Sequence, residues 1–109
     1  MSDIRRFARD YLDKRNFRHR CSGFGYIVTA AEICDETPEM RRRACKLYEA
    51  VGGRCGSTGS RVERAIRHSI EISDTPDIPN SEFIARLLDA YEDEKELARA
   101  TNTDKPTEK

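Results

Sequence analysis

The sequence predicts an all-α fold, a small helical domain of about five helices, on three observations. Apolar residues recur at the 3.6-residue period in several separate segments, no strand-like segment has a matching partner, and Pro, Gly and capping residues punctuate the chain between periodic stretches. At 109 residues the chain is one domain's worth. Residues 1–100 read as that domain and 101–109, TNTDKPTEK, as a polar, disordered tail.

Each helix has its own warrant. Ile4, Phe7, Ala8, Tyr11 and Leu12 share one face of a first amphipathic helix, with Arg5, Arg6, Arg9, Asp10 and Asp13 around it. RNFRHRCSGFG has no clean period and reads as a connector anchored by Phe17. YIVTAAEIC, Tyr26 to Cys34, contains β-branched residues, but Ala30, Ala31 and Glu32 favour helix and no partner strand follows. Thr37 and Pro38 have the form of an N-cap and first helical residue, opening a helix through Met40, Ala44, Leu47, Tyr48 and Val51. Gly52 and Gly53 are expected to interrupt it.

Ser60 reads as the next start: S-R-V-E has the spacing of a capping box, and the helix runs to about Ile72. Asp74 to Pro79, with two prolines, is a loop. Asn80 or Ser81 caps a last helix with the stripe Phe83, Ile84, Leu87, Leu88 and Tyr91, read as core or as a dimer interface. EDEKELARA extends it as a solvated acidic end.

Composition narrows the function. Hydrophobic and charged residues each make up 37% of the chain, so a small core lies under a heavily charged surface. The net charge of zero hides segregation: residues 1–68 hold 15 Lys and Arg against 9 Asp and Glu, whereas residues 69–109 hold 5 against 11. An anionic partner would bind the basic half.

Cys21, Cys34, Cys45 and Cys55 form no C-x-x-C pair and have no H-x-x-x-H nearby, so no metal is expected. Without an apolar signal segment near Met1, they read as buried or half-buried thiols in a reducing cytoplasm. No stretch reaches the roughly 20 apolar residues of a membrane span. No nucleophile and base, phosphate loop or carboxylate pair stands at a useful spacing, so neither an enzyme, a cofactor nor a small-molecule substrate is expected.

RACKLYEAVGGRCGSTGSRVERAIRHSIE has the outline of a helix-turn-helix, two helices joined by a glycine-bearing turn. In its second helix Val62, Ala65, Ile66, Ser69 and Ile70 share one side, leaving Arg61, Glu63, Arg64, Arg67, His68 and Glu71 on the other. Such a face suits DNA, because arginine pairs bidentately with guanine and serine or histidine can hold phosphates. By spacing alone it is equally a solvated face. The run Arg41, Arg42 and Arg43 offers flanking phosphate contacts, or a further solvated face.

STGSRVERAIRHSIE, with KLYEAV before it, GYIVTAAEI upstream and NSEFIARLLD downstream, resembles the C-terminal effector domain of the stage-zero sporulation response regulator of endospore-forming Firmicutes, over roughly Gly23 to Asp89. The resemblance implies a sequence-specific, double-stranded DNA-binding transcription regulator. It implies base reading by Arg61, Glu63 and Arg64, phosphate contacts by Thr58, Ser60, Arg67 and His68, and a possible homodimer on DNA. Glu63 has two roles open to it, helix cap and base reader.

The chain departs from the family in three ways. Only some 22 residues precede the match, so no receiver domain is expected within this sequence. Gly52 and Gly53 stand where the family has helix formers, at about 1 kcal/mol each relative to alanine. The segment between Ile72 and Asn80 is shorter than the family's. The alternative function is a stand-alone interaction protein that pairs with and modulates a full-length regulator through the acidic half and last helix.

Overall fold

The computed structural model describes residues 2–107, with side chains described through residue 100. It holds five α-helices, α1 (Asp3–Asp13), α2 (Ser22–Glu36), α3 (Ala44–Cys55), α4 (Gly59–Glu71) and α5 (Asn80–Thr107), and a 3-10 segment at Pro38–Arg42. There is no strand among the described residues, and no helix there is long and apolar enough to cross a membrane. The fold is all-α, as the periodicity requires.

The core is built around α2, the most apolar of the helices and buried on most of its circumference. Phe24, Ile27, Val28, Ala30, Ala31, Ile33 and Cys34 are all buried, which explains a sequence that resembles a strand: a helix packed on every side carries apolar residues at nearly every position. α1, α3, α4 and α5 all pack on it. α1 contributes Ile4, Ala8 and Leu12 at intervals of one turn, and its start is capped by Ser2, whose Oγ accepts from the Arg5 amide at 3.3 Å. Aromatic contacts dock α5 on α1, with Phe7 against Tyr91 and Tyr11 against Phe83 at centroid separations of 5.3 and 5.8 Å. All five members of the stripe from Phe83 to Tyr91 are core.

Several helix boundaries differ from those read in the sequence. α2 begins at Ser22, so SGFG is helical rather than connector. The helix expected from Pro38 onward is two elements, because the Arg43 backbone leaves the helical region (φ −123°, ψ 71°). The short 3-10 segment lies against α5, where Arg41 donates to the Ala85 carbonyl at 3.2 Å and to Asp89 at 2.8 Å, and α3 then sets off on its own axis. Gly52 and Gly53 do not interrupt α3. A Cβ on Gly52 would lie 2.8 Å from the Ser57 carbonyl oxygen, so glycine is what lets the following turn fold back on the helix. The helix ends at Gly56, in the left-handed region at φ 69°.

Asn80 is the first residue of α5 rather than its cap. Its side chain instead donates to the Glu63 carbonyl at 2.9 Å, tying the start of α5 to α4. Of the four thiols, Cys34 is buried and Cys21 half-buried, but Cys45 and Cys55 on α3 are exposed, Cys55 still donating to the Thr29 hydroxyl at 3.7 Å. The expected boundary at residue 100 falls where side chains pass outside the described residues, with the backbone of α5 running to Thr107.

Candidate nucleic-acid interface

α3 and α4 are joined by three residues, Gly56, Ser57 and Thr58, and pack closely on one another. The turn is fixed from both sides: the Gly56 and Ser57 amides donate to the Gly52 carbonyl, the latter at 2.8 Å. Thr58 then caps α4, its hydroxyl accepting from the Arg61 amide at 3.2 Å. The expected capping box is therefore absent. α4 starts at Gly59, which makes Ser60 a residue inside the first turn and leaves Glu63 out of reach of the cap.

Glu63 instead pairs with Arg67 one turn along, an i,i+4 pair on the helix surface. Its own carbonyl is the one that takes the Asn80 amide. Tyr48, on α3, stands beside this junction; burial pushes its phenol above the ordinary value, with a hydrogen bond from Asn80 pulling the other way. The α4 backbone is thus held by α5 and α3 at one flank, while the side chain of Glu63 faces out.

Around α4 the division between anchor and face is sharp. Val62, Ile66, Ser69 and Ile70 are buried, and Ala65 is half-buried. Arg61, Arg64 and His68 are exposed at i, i+3 and i+7, which places them on one stripe opposite the core. Ser60 and Thr58 are exposed at the N-terminal end of the same helix, where unpaired amides and the helix dipole favour an anion. Arg67 is exposed too, but its charge is shared with Glu63.

The charge state of the surface separates into two populations. Arg5 pairs with Glu32, Arg6 with Asp3, Lys14 with Asp10, Arg41 with Asp89, Arg54 with Glu36 and Arg86 with Glu82. Among the described residues the side chains of Arg18, Arg20, Arg42, Arg43, Lys46, Arg61 and Arg64 have no hydrogen bond or ion pair. Of the sequence-predicted run on the 3-10 segment, then, Arg42 and Arg43 are open to solvent, whereas Arg41 is a strut to α5.

One determinant of this geometry, Gly23, is missed by the periodicity. A Cβ there would sit 2.1 Å from Ser69 Oγ and 2.4 Å from the Ala65 carbonyl, so this glycine sets how closely α2 approaches α4. Its only signal in the sequence is a glycine in the segment read as a connector, where glycine is unremarkable.

A family model described as sporulation initiation factor Spo0A C terminal matches residues 9–104, nearly the whole chain and more than the Gly23 to Asp89 over which the resemblance is legible. No curated protein matches the chain.

Proposed function

The chain belongs to the family of the sporulation initiation factor Spo0A C-terminal domain, the DNA-binding effector domain of a sporulation regulator, and from that premise we propose that it is a sequence-specific reader of double-stranded DNA acting in transcription regulation, with α3, the turn and α4 as its helix-turn-helix. The observation that carries the reading is the unpaired stripe of Arg61, Arg64 and His68 on a helix whose opposite side is wholly core. In this docking α4 enters the major groove with its N-terminal residues toward base edges.

Arg61 and Arg64 are the base readers, each able to present two donors to guanine O6 and N7. Thr58 and Ser60 at the helix start, with His68 further along, hold phosphates and fix the register. Arg42 and Arg43 supply flanking phosphate contacts. Glu63 and Arg67 act as a pair: the glutamate reaches a cytosine amine only by releasing Arg67, which then becomes free for a phosphate. A symmetric pair of domains on two half-sites is part of this proposal, since homodimers of such readers bind sites one helical turn apart.

The test is selection of bound duplexes from a random DNA pool, followed by titration of the recovered site and a scrambled one. Arg64→Ala is expected to lower discrimination between them by about five-fold or more, the scale of about 1–3 kcal/mol for a bidentate pair, with an unchanged circular dichroism spectrum. An Arg64→Ala protein that keeps the wild-type preference sinks the assignment of Arg64. A pool that yields no consensus with wild type favours the interaction-protein alternative.

A further inference from the structure

The segment between α1 and α2 lies along the C-terminal half of α4, and the structure pins it there twice. At one end the Asp74 amide, just past α4, donates to the Arg15 carbonyl at 3.0 Å, and Asn16 Nδ2 donates to the Asp74 carboxylate at 2.9 Å. At the other end Gly23 abuts Ala65 and Ser69 so closely that no side chain fits between them. Between these pins run Phe17 to Ser22.

The segment is anchored along its length. Phe17 is buried against Phe83, with ring centroids 5.0 Å apart. The His19 ring stacks on Phe24 at 4.2 Å, and its Nε2 meets the Asp13 carboxylate. The Cys21 amide donates to the Arg18 carbonyl at 3.1 Å and closes a turn. Arg18 and Arg20 are exposed on this turn, on either side of the pinned His19, and their guanidinium groups have no partner among the described residues.

Ala65 borders the stripe of Arg61 and His68, so the turn stands at one flank of the proposed reading face. The N-terminal half of α3 stands at the other: Cys45, Tyr48 and Glu49 line a cleft with Gly59, Ser60 and Glu63, the unpaired Lys46 follows Cys45 on this helix, and the unpaired Arg42 and Arg43 lead directly into it. A helix in a major groove about 12 Å wide has a phosphate strand on each side. Unpaired cations at both flanks match that arrangement, whereas Arg67 on α4 and Arg41 next to Arg42 are engaged by Glu63 and Asp89.

We propose that Arg18 and Arg20, presented on the pinned turn ahead of α2, form a second phosphate-binding clamp that grips the DNA strand opposite the one met by Arg42 and Arg43. The proposal rests on the DNA-reading assignment of α4. Two held cations add affinity without sequence preference, because each neutralised phosphate releases counterions.

The experiment is a titration of a mixed-sequence duplex of about 30 base pairs at several salt concentrations, with the full chain and its Arg18→Ala/Arg20→Ala variant. The wild-type slope of log affinity against log salt is expected to flatten by about 2 in the variant, close to 0.9 for each phosphate no longer neutralised. Arg18→Lys/Arg20→Lys should restore it, since a point charge suffices for a phosphate. Thermal melting of the variants should match wild type, as neither side chain holds another element. A wild type that binds with a steep salt slope and a double-alanine variant with the same slope overturns the clamp and leaves the reading of α4 standing. A wild type that does not bind the duplex at any salt overturns both.

Discussion

Two surfaces of this domain carry arginine in similar numbers and use it differently. On α1 and α5 most cations are neutralised at home, Arg6 by Asp3, Lys14 by Asp10 and Arg86 by Glu82, while Arg9 and Lys95 lie over the rings of Phe24 and Tyr91. Around α4 the cations at both flanks and along the stripe stand alone, with Arg67 the one that shares its charge locally. Exposed pairs of this kind contribute roughly 0–1 kcal/mol each, so the pairing is not there mainly for stability. What it decides is where positive potential survives to meet a polyanion. A count of charges along the chain locates the basic half; only the pairing locates the face.

The comparison breaks most completely if the joint between α2 and α4 is opened. Gly23→Val places side-chain atoms onto Ser69 and the Ala65 carbonyl, backbone that cannot move without shifting α4. The expected loss is about 3 kcal/mol, the upper part of the range for overpacking, and a drop in Tm of more than about 10 °C for a domain of this size. Gly25→Ala, two residues on in the same helix, meets nothing within 4 Å and should be neutral or slightly stabilising. If the two variants melt alike, Gly23 does not set the helix separation, and the placement of the Arg18–Cys21 turn beside α4 loses its main support.

A second test concerns the paired side of the molecule, where Arg41 faces not only Asp89 but also Cys34. Burial pushes the Cys34 thiol up to about 11, with the Arg41 charge pulling the other way. The fold therefore favours the neutral thiol over the thiolate. Its full stability is present below the ordinary value of 9.0 and is lost as pH rises from about 9 toward 11, because the unfolded chain deprotonates first. The expected loss is up to about 2 kcal/mol across that window. Denaturant melts of wild type and Cys34→Ala at pH 8 and 10.5 isolate it, since the tyrosines titrate in both. Parallel slopes would show that Cys34 does not carry the alkaline loss.

How much of this is legible in the sequence follows from what each signal depends on. The helical class, the core stripe from Phe83 to Tyr91 and the outward face of α4 rest on periodicity, which local sequence states directly. The start of α4 is misplaced because Ser60 and Glu63 have capping-box spacing, yet Thr58 lies two residues earlier and the close turn at Gly52 delivers it to the helix end first. The break at Arg43 and the role of Arg41 depend on α5, more than forty positions away, and no local pattern encodes them. Glu63 has the position of a cap or a base reader because its partner Arg67 lies on the same exposed side, where both can also be read as free. Arg18 and Arg20 sit in a segment without a period; their position beside α4 becomes visible only through Gly23 and Asp74.

The smallest expected effect is the most direct test of the contrast between paired and unpaired cations. Arg41 and Arg43 are two residues apart in one basic run, but Arg41 bonds Ala85 and Asp89 on α5, and Arg43 has no side-chain partner among the described residues. Arg41→Ala should cost about 1 kcal/mol of stability, the worth of a charge-assisted bond discounted for its exposure, and leave the salt dependence of DNA binding nearly unchanged. Arg43→Ala should leave stability within about 0.5 kcal/mol and flatten the salt slope by about 1. The two substitutions remove the same charge, so net charge cannot explain a difference between them. Equal flattening by both would mean that DNA competes successfully with Asp89 for Arg41, and that the ion pairs of the free domain do not mark out its binding face. A crossed result, stability from one arginine and salt sensitivity from the other, ties the binding face to the cations that the fold leaves unpaired.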